Sequence, residues 1–282
     1  MRTLSLFGKE LQLQSHFCSP TGGSECGLKK YNLYIEAGGV CPAKCNFCTG
    51  YRNQYHVDTD KLQYVIAQLS EKDLINRVSI TGAEPFVYGD LDGILDLVHG
   101  YEVSINTSSF GLRRVASLKN RPIISDIHVS RHHYDDGVNR DIFGINVLSG
   151  KELIELDIPL SLSCNLMRGK IDSIEHIKKY LDFGISIGAR FVGFVGLQNR
   201  TDKCKDLFLD YESLRFRVED GFLFQNMQKN RDNCKCENYL YMNNVGEIDF
   251  YIRQVMGANP DINSFVFCNN KLTGGFGKGV IL

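Results

Sequence analysis

Neither sign of charge is in excess in this chain. Its 32 Lys and Arg stand against 33 Asp and Glu, a formal net charge of −1. A protein that grips nucleic acid regardless of sequence carries a broad basic surface, so the balance argues against that class. A small basic pocket for a phosphate or carboxylate is not. No apolar run approaches the roughly 20 residues of a membrane span, and the N-terminal MRTLSLFGKELQLQ lacks the apolar stretch of a signal peptide. Both absences point to a cytoplasmic protein. Repeats, low-complexity tracts and a proline-rich linker are missing too. The 282 residues, 43% hydrophobic and 23% charged, therefore read as one large soluble domain, or one domain with an appendage packed against it.

Cysteine is what the chain has in quantity. Ten cysteines without an export signal argue against a disulfide framework and for metal or thiol chemistry. Cys41, Cys45 and Cys48 fall within CPAKCNFC, Cys18 and Cys26 precede them, and Cys164 stands alone. Cys204, Cys234, Cys236 and Cys268 occupy the last third. A structural zinc site takes four closed ligands, so the triplet needs a distant fourth residue to serve as one. A four-iron cluster held by three cysteines leaves one iron open, which is a reactive arrangement.

Short apolar runs alternate with helical periodicity up to about residue 200. Strands are read at 31–39, 77–83, 101–108, 124–132, 158–166 and 189–197. Helices are read at 59–73, 91–100 and 172–188, with weaker ones near 111–119 and 138–144. Such alternation implies right-handed βαβ units and a parallel sheet. Six units are too few for an eight-fold barrel, so the expected fold is α/β, a partial (β/α)6 TIM-like barrel. In parallel architectures function gathers at the C-terminal strand ends. The cysteine triplet, Gly82–Pro85, Asn106–Ser109 and Ser130–His133 all fall at such ends and converge on one rim. Beyond residue 200, CENYLYMNNVGEIDFYIRQ (236–254) reads as an antiparallel hairpin.

The Cys-x3-Cys-x2-Cys spacing, with Phe47 before the third cysteine, and TGAEPF (81–86) at the next strand end together resemble the radical S-adenosylmethionine (radical SAM) superfamily over residues 30–200. The resemblance implies that Cys41, Cys45 and Cys48 hold a [4Fe–4S] cluster whose open iron is chelated by S-adenosylmethionine. Reductive cleavage of that cofactor then yields a 5′-deoxyadenosyl radical, which takes a hydrogen atom from the substrate. It also implies that Gly82, Ala83 and Glu84 bind the methionine end. Gly82 gives close backbone approach, Glu84 accepts from the ammonium, and Ala83 stands where a second glycine is common. Asn106, Ser108 and Ser130 match ribose-contacting positions, Leu197 lies near the adenine position, and Arg168 is a candidate partner for the cofactor carboxylate. A solvated loop is the alternative for Glu84 and Arg168, and strand-end capping for Asn106 and Ser108. Cys164, in an apolar strand, reads as a core residue.

SRHHYDDGVNRDIFG (130–144) is the stretch least like scaffold. His132 and His133 are the candidate catalytic residues, contacting a polar substrate or moving a proton. The alternative is a solvated loop with Asp135 or Asp136 capping the next helix.

Residues 201–282 resemble the twitch appendage of some superfamily members, which holds an auxiliary iron–sulfur cluster. Here Cys204, Cys234, Cys236 and Cys268 are its candidate ligands, with zinc or a hydrogen-donating cysteine as alternatives. The implied organisation is an N-terminal arm (1–29), a core (30–200) and a C-terminal twitch-like domain (201–282). The implied activity is dehydrogenation, cyclisation or rearrangement of a small polar metabolite, sugar or nucleotide, so oxidoreductase, lyase and cyclase classes stay open. A flavodoxin- or ferredoxin-type protein would be the electron donor. A maturase of ribosomal peptides and a non-enzymatic iron–sulfur or zinc protein are the rival readings. The absence of an N-terminal module large enough to bind a leader peptide weighs against the maturase.

Overall fold

The computed structural model describes residues 2–13, 30–48, 55–197, 202–209, 214–230, 234–255, 264–275 and 279–282. The N-terminal arm, to which the sequence pattern assigned no element, contains a hairpin of β1 (Arg2–Leu6) and β2 (Lys9–Leu13). Phe7 and Gly8 turn it with φ of 53° and 71°, the positive values that two-residue hairpin loops need.

Six strands then follow in parallel and in chain order: β3 (Tyr31–Ala37), β4 (Ile75–Gly82), β5 (Val103–Thr107), β6 (Ile124–Ser130), β7 (Leu160–Leu166) and β8 (Phe191–Gly196). Helix α1 (Thr59–Glu71) links β3 to β4, α2 (Leu91–Leu97) links β4 to β5, and α5 (Ile174–Ser186) links β7 to β8. The weak helix read near 111–119 is a 3-10 helix, Leu112–Ser117. Between β6 and β7 lie α3 (Asp136–Phe143) and α4 (Gly150–Ile154). Asp135 caps α3, its side chain accepting the Val138 N–H at 2.9 Å. The pattern missed α4, whose five residues are too short to show a period. A reciprocal capping box of Ser149 and Glu152 holds it.

The remaining strands are β9 (Phe222–Asn230), β10 (Cys234–Met242), β11 (Glu247–Val255), β12 (Phe265–Cys268) and β13 (Lys271–Thr273). β10 and β11 form the expected antiparallel hairpin. The C-terminal strands do not stand apart from the barrel in their hydrogen bonding. β11 joins β8 in parallel and β12 joins β3 in parallel. One sheet of order β13-β12-β3-β4-β5-β6-β7-β8-β11-β10-β9 results. It is an open, partial barrel; no closing strand pair exists among the described residues.

Alternation along each strand sorts its side chains. In β3, Tyr31, Leu33, Ile35 and Ala37 are buried while Asn32, Tyr34 and Glu36 between them are not. Leu33, Ile35, Val78, Ile80, Val103, Ile105, Ile127 and Val129 share one apolar core with Leu62, Val65, Ile66 and Leu69 of α1. Each such aliphatic side chain contributes about 1.5–3 kcal/mol by leaving water. The opposite, concave face carries polar residues on β3 to β7, while β8 gives it Phe191, whose ring packs on His128.

Candidate functional site

Strand register builds a polar layer across that concave face. Glu36 pairs with Thr81, Asn106 with His128, and His128 with Ser161. The Ile80–Ile105 pair sets Thr81 beside Asn106, and the Phe267–Ile35 pair sets Cys268 beside Glu36. Six polar side chains therefore line one level of six neighbouring strands. At one end Cys268 Sγ donates to Glu36 Oε2 at 2.7 Å. Burial, reinforced by that carboxylate, pushes the Cys268 thiol up to about 12, so it stays protonated at neutral pH. At the other end His128 Nε2 lies 3.0 Å from Asp126 Oδ2, and the Ser161 hydroxyl donates to the same oxygen at 3.0 Å. Burial alone would raise the Asp126 carboxyl; the His128 hydrogen bond and charge outweigh it and hold it below the usual carboxylate range. His128 keeps 20% of its side chain exposed. Sequence reading overlooked Asp126 and His128, although the polar i, i+2, i+4 spacing of Asp126, His128 and Ser130 carried the signal.

Above this layer lies the rim. Gly82, the last residue of β4, has φ 110°, and a Cβ there would sit 2.9 Å from Ala37 O and 3.0 Å from Ala37 N. Only glycine fits. Glu84 is 1% exposed and already engaged. Its Oε1 accepts from Thr107 Oγ1 at 2.6 Å and from the Phe86 N–H at 3.4 Å; its Oε2 accepts from the Ser108 N–H at 2.8 Å and Ser108 Oγ at 2.5 Å. A carboxylate offers about four lone-pair positions; three of these bonds tie the end of β4 to the end of β5, and the Phe86 N–H closes the turn itself. Burial pushes the Glu84 carboxyl up, with the four donors opposing.

The cysteine loop leaves the end of β3. Cys45 is buried against Phe143 and Val147 with Phe47 at the edge of the cluster, Cys41 is partly exposed and Cys48 is exposed. The Cys48 N–H donates to Cys45 O at 3.3 Å, a tight turn. Among the described residues no three His, Cys, Asp or Glu side chains are gathered as a metal site. The donor set still fits the implied cluster in kind: three thiols on one short segment at the barrel rim, backed by an apolar wall. Ligands commonly gather only as the metal binds.

His132 and His133 follow β6, but both are buried, 5% and 8% exposed. His132 lies edge-on to Phe47 and stacked on Phe143, and burial lowers its pKa to about 3. His133 Nδ1 accepts the Asp135 N–H at 3.0 Å. Burial is the main cause that lowers the His133 pKa, with the Asp135 charge opposing. Arg131, which sequence reading passed over, is 1% exposed. It pairs with Asp136, donates to Leu148 O at 3.2 Å and Tyr134 O at 3.1 Å, and lies 4.4 Å over the Phe183 ring.

Asn106, Ser108 and Ser130 sit at the strand ends, partly exposed, as does Ala83 beside Gly82. Leu197 follows β8, half-buried, and Arg168 is exposed, its N–H donating to Leu207 O at 2.9 Å. Cys164 is fully buried in the core. Cys204 is buried in the 3-10 helix Asp202–Leu207. Cys268 lies on β12, the opposite flank of the sheet from β10, where the backbone carries Cys234 and Cys236. The side chains of those two, and all of Cys18 and Cys26, lie outside the described residues.

An open parallel barrel with three cysteines at the end of its first barrel strand, a glycine-acid turn at the next and polar residues inside defines a rim-and-chamber α/β architecture. The Radical SAM superfamily description matches residues 35–149 of this chain. It is 27% identical over 131 residues to a protein named "Probable GTP 3′,8-cyclase" from Sulfolobus acidocaldarius, covering 44% of this chain and 41% of that one. Its fold is similar to that of Streptococcus suis SuiB bound to precursor peptide SuiA, with a TM-score of 0.51 and 20% identity, over 62% of this chain and 41% of that one. The chain thus spans about two-fifths of the length of either. No helix among the described residues is long and apolar enough to cross a membrane.

Proposed function

We propose that this chain cleaves S-adenosylmethionine at a [4Fe–4S] cluster held by Cys41, Cys45 and Cys48, and acts on a small polar molecule seated on the concave layer. The observation that carries the substrate class is the layer itself: Glu36, Thr81, Asn106 and His128, all partly exposed, offer hydrogen bonds of both senses below the rim. An apolar or bulky substrate would leave these groups unpaired, at a cost of about 1–3 kcal/mol each. When bound, cluster and cofactor supply a one-electron route to hydrogen-atom abstraction. The chain's own residues orient and enclose. Gly82 lets the rim backbone approach the cofactor's methionine end, with Ala83 beside it. Glu84 stands behind that turn and fixes Ser108, so its contribution to an ammonium contact runs largely through the strand ends it joins. Asn106, Ser108, Ser130 and Leu197 are the remaining cofactor contacts, and Arg168 the candidate carboxylate partner. We move the substrate role from His132 and His133 to His128. Asp126 fixes the Nε2–H tautomer there, leaving Nδ1 to accept a substrate hydroxyl or amine.

For the C-terminal region we propose an auxiliary cluster on Cys204, Cys234 and Cys236, without Cys268, which stands beside Glu36 on the opposite flank of the sheet. A variant with Cys41, Cys45 and Cys48 all replaced by Ala would then retain about four irons per chain, and replacing Cys268 as well would leave that count unchanged.

The test is anaerobic reconstitution, reduction and chromatographic measurement of 5′-deoxyadenosine. The wild type should form it slowly without substrate, and Cys41→Ala, Cys45→Ala or Cys48→Ala should form none. Any of the three cleaving the cofactor at the wild-type rate sinks the reading. The polar-substrate arm uses GTP, nucleosides and monosaccharides as probes. One of them should accelerate cleavage in the wild type and not in His128→Ala.

A further inference from the structure

We propose that His132 is a positioning residue for the cysteine loop: its ring is the fixed wall against which Phe47, and with it Cys45 and Cys48, are held. The inference rests on the reading that this loop binds the iron–sulfur cluster, and it gives the most deeply buried rim histidine a role that contact with substrate does not.

The ring is anchored from two directions. Nδ1 accepts the Asn165 N–H, just before the end of β7, at 3.1 Å, which puts the ring proton on Nε2. The His132 backbone N–H donates to Oδ1 of Asn139 on α3 at 2.8 Å, and Asn139 is itself 2% exposed. Two aromatic neighbours then pack on the ring. Phe143 stacks at 5.1 Å and 21°, while Phe47 meets it at 5.0 Å and 86°. Stacked and edge-on pairs at these distances are the favoured aromatic geometries.

Phe143 also grips the loop. Its carbonyl accepts the Lys44 N–H at 2.8 Å, and its ring packs on Cys45 and Val147. The next residue, Gly144, has φ 64°, and a Cβ there would lie 3.3 Å from Lys44 Cβ. The chain therefore turns away in a conformation that favours glycine, and the loop lies directly on it. His132 is the side chain that touches both aromatic residues of this joint. On its outer side a cavity of about 190 Å³ opens against Asn46, Phe47, Ile142 and Met167. Without the His132 ring behind it, Phe47 has room to withdraw, and water in the cavity gains a path to Cys45.

The test compares wild type, His132→Ala, His132→Phe and Phe47→Leu after anaerobic reconstitution. It reads iron release to a ferrous chelator and the resonance spectrum of the reduced cluster, with circular dichroism as the check of folding. His132→Ala should release iron about 10–100-fold faster, the scale on which outer supports of metal ligands act. His132→Phe keeps the wall and gives up only the Asn165 bond, so it should restore slow release and the wild-type spectrum. Phe47→Leu loosens the joint from the loop side without altering β6, so it should accelerate release even if His132→Ala does not fold. Wild-type release rates in the folded variants would overturn the proposal. So would a His132→Phe variant that loses iron as fast as His132→Ala, because the hydrogen bond rather than the wall would then matter. A wild type that binds no iron would instead remove the cluster reading beneath it.

Discussion

Polar side chains stand at two levels of the β6 region, and the two levels use them in opposite ways. Along the strand, Asp126 and His128 face the concave layer, and His128 retains solvent exposure and an open ring nitrogen. Just past the strand's end, Arg131, His132 and His133 are buried, and their bonds go to the scaffold: Leu148 and Tyr134 carbonyls, Asp136, the Asn165 N–H and the Asp135 N–H. A polar group with filled partners and no exposure fixes geometry, because any new partner must first displace an old one. A polar group with exposure and spare capacity can meet a ligand. Chemical type alone does not separate His128 from His132; their surroundings do.

Substituting the two levels should therefore affect different quantities. The largest stability loss belongs to Arg131→Ala, which strips the Leu148 and Tyr134 carbonyls and the Phe183 ring of their partner. Breaking a buried pair costs several kcal/mol, but the Asp136 side chain is 41% exposed, so a loss of about 2–4 kcal/mol is expected by denaturant unfolding. A loss below about 1 kcal/mol, the level of an exposed ion pair, would break the contrast.

Glu84→Ala comes next. It should cost about 1–3 kcal/mol of stability, because Thr107 and Ser108 lose their acceptor, and should weaken S-adenosylmethionine binding through the loosened strand ends while iron content survives. Binding by anaerobic titration together with an iron assay decides it, and unchanged affinity would remove Glu84 from the site. His128→Ala takes the imidazole from the buried Asp126 carboxylate, so a stability loss of about 1–3 kcal/mol is expected, while substrate-stimulated cleavage is lost and slow uncoupled cleavage persists. Normal substrate-stimulated cleavage in the folded variant would place His128 with the scaffold.

The smallest effect lies at α4. The Ser149 N–H, with the Arg113 guanidinium and the Ser149 hydroxyl, holds Glu152 well down, at about 2. A carboxylate depressed in the folded state adds stability above its unfolded value, near 4.3. That contribution should fade as pH falls from about 4.5 to about 2. Glu152→Gln should flatten this part of the acid unfolding profile, and an unchanged profile would show the capping box to be idle.

The motif at Cys41–Cys48 and the turn at Gly82–Glu84 were legible because each depends on spacing within a few residues. Strand and helix order was legible for a related reason: apolar periodicity records which face each element buries. The hairpin 236–254 announced itself through Asn-Asn-Val-Gly. Less could be read where the partner lay far along the chain. Glu84 reads as a rim acid until Thr107 and Ser108, on the next strand, are seen to occupy it. Arg131 reads as a loop cation until Phe183 closes over it from α5.

The sequence by itself determined the resemblance to the radical SAM superfamily, the parallel βαβ order and the placement of four polar clusters at strand ends. All of these follow from local periodicity and motif spacing. Only the tertiary structure decided which of those polar groups face the chamber and which are walled in. It alone set Cys268 beside Glu36, although 231 residues separate them in the chain, and it alone joined β11 and β12 to opposite flanks of the barrel. Strand register and burial are properties of the assembled sheet, because a side chain's neighbours across strands are fixed by pairing that no short stretch of sequence contains.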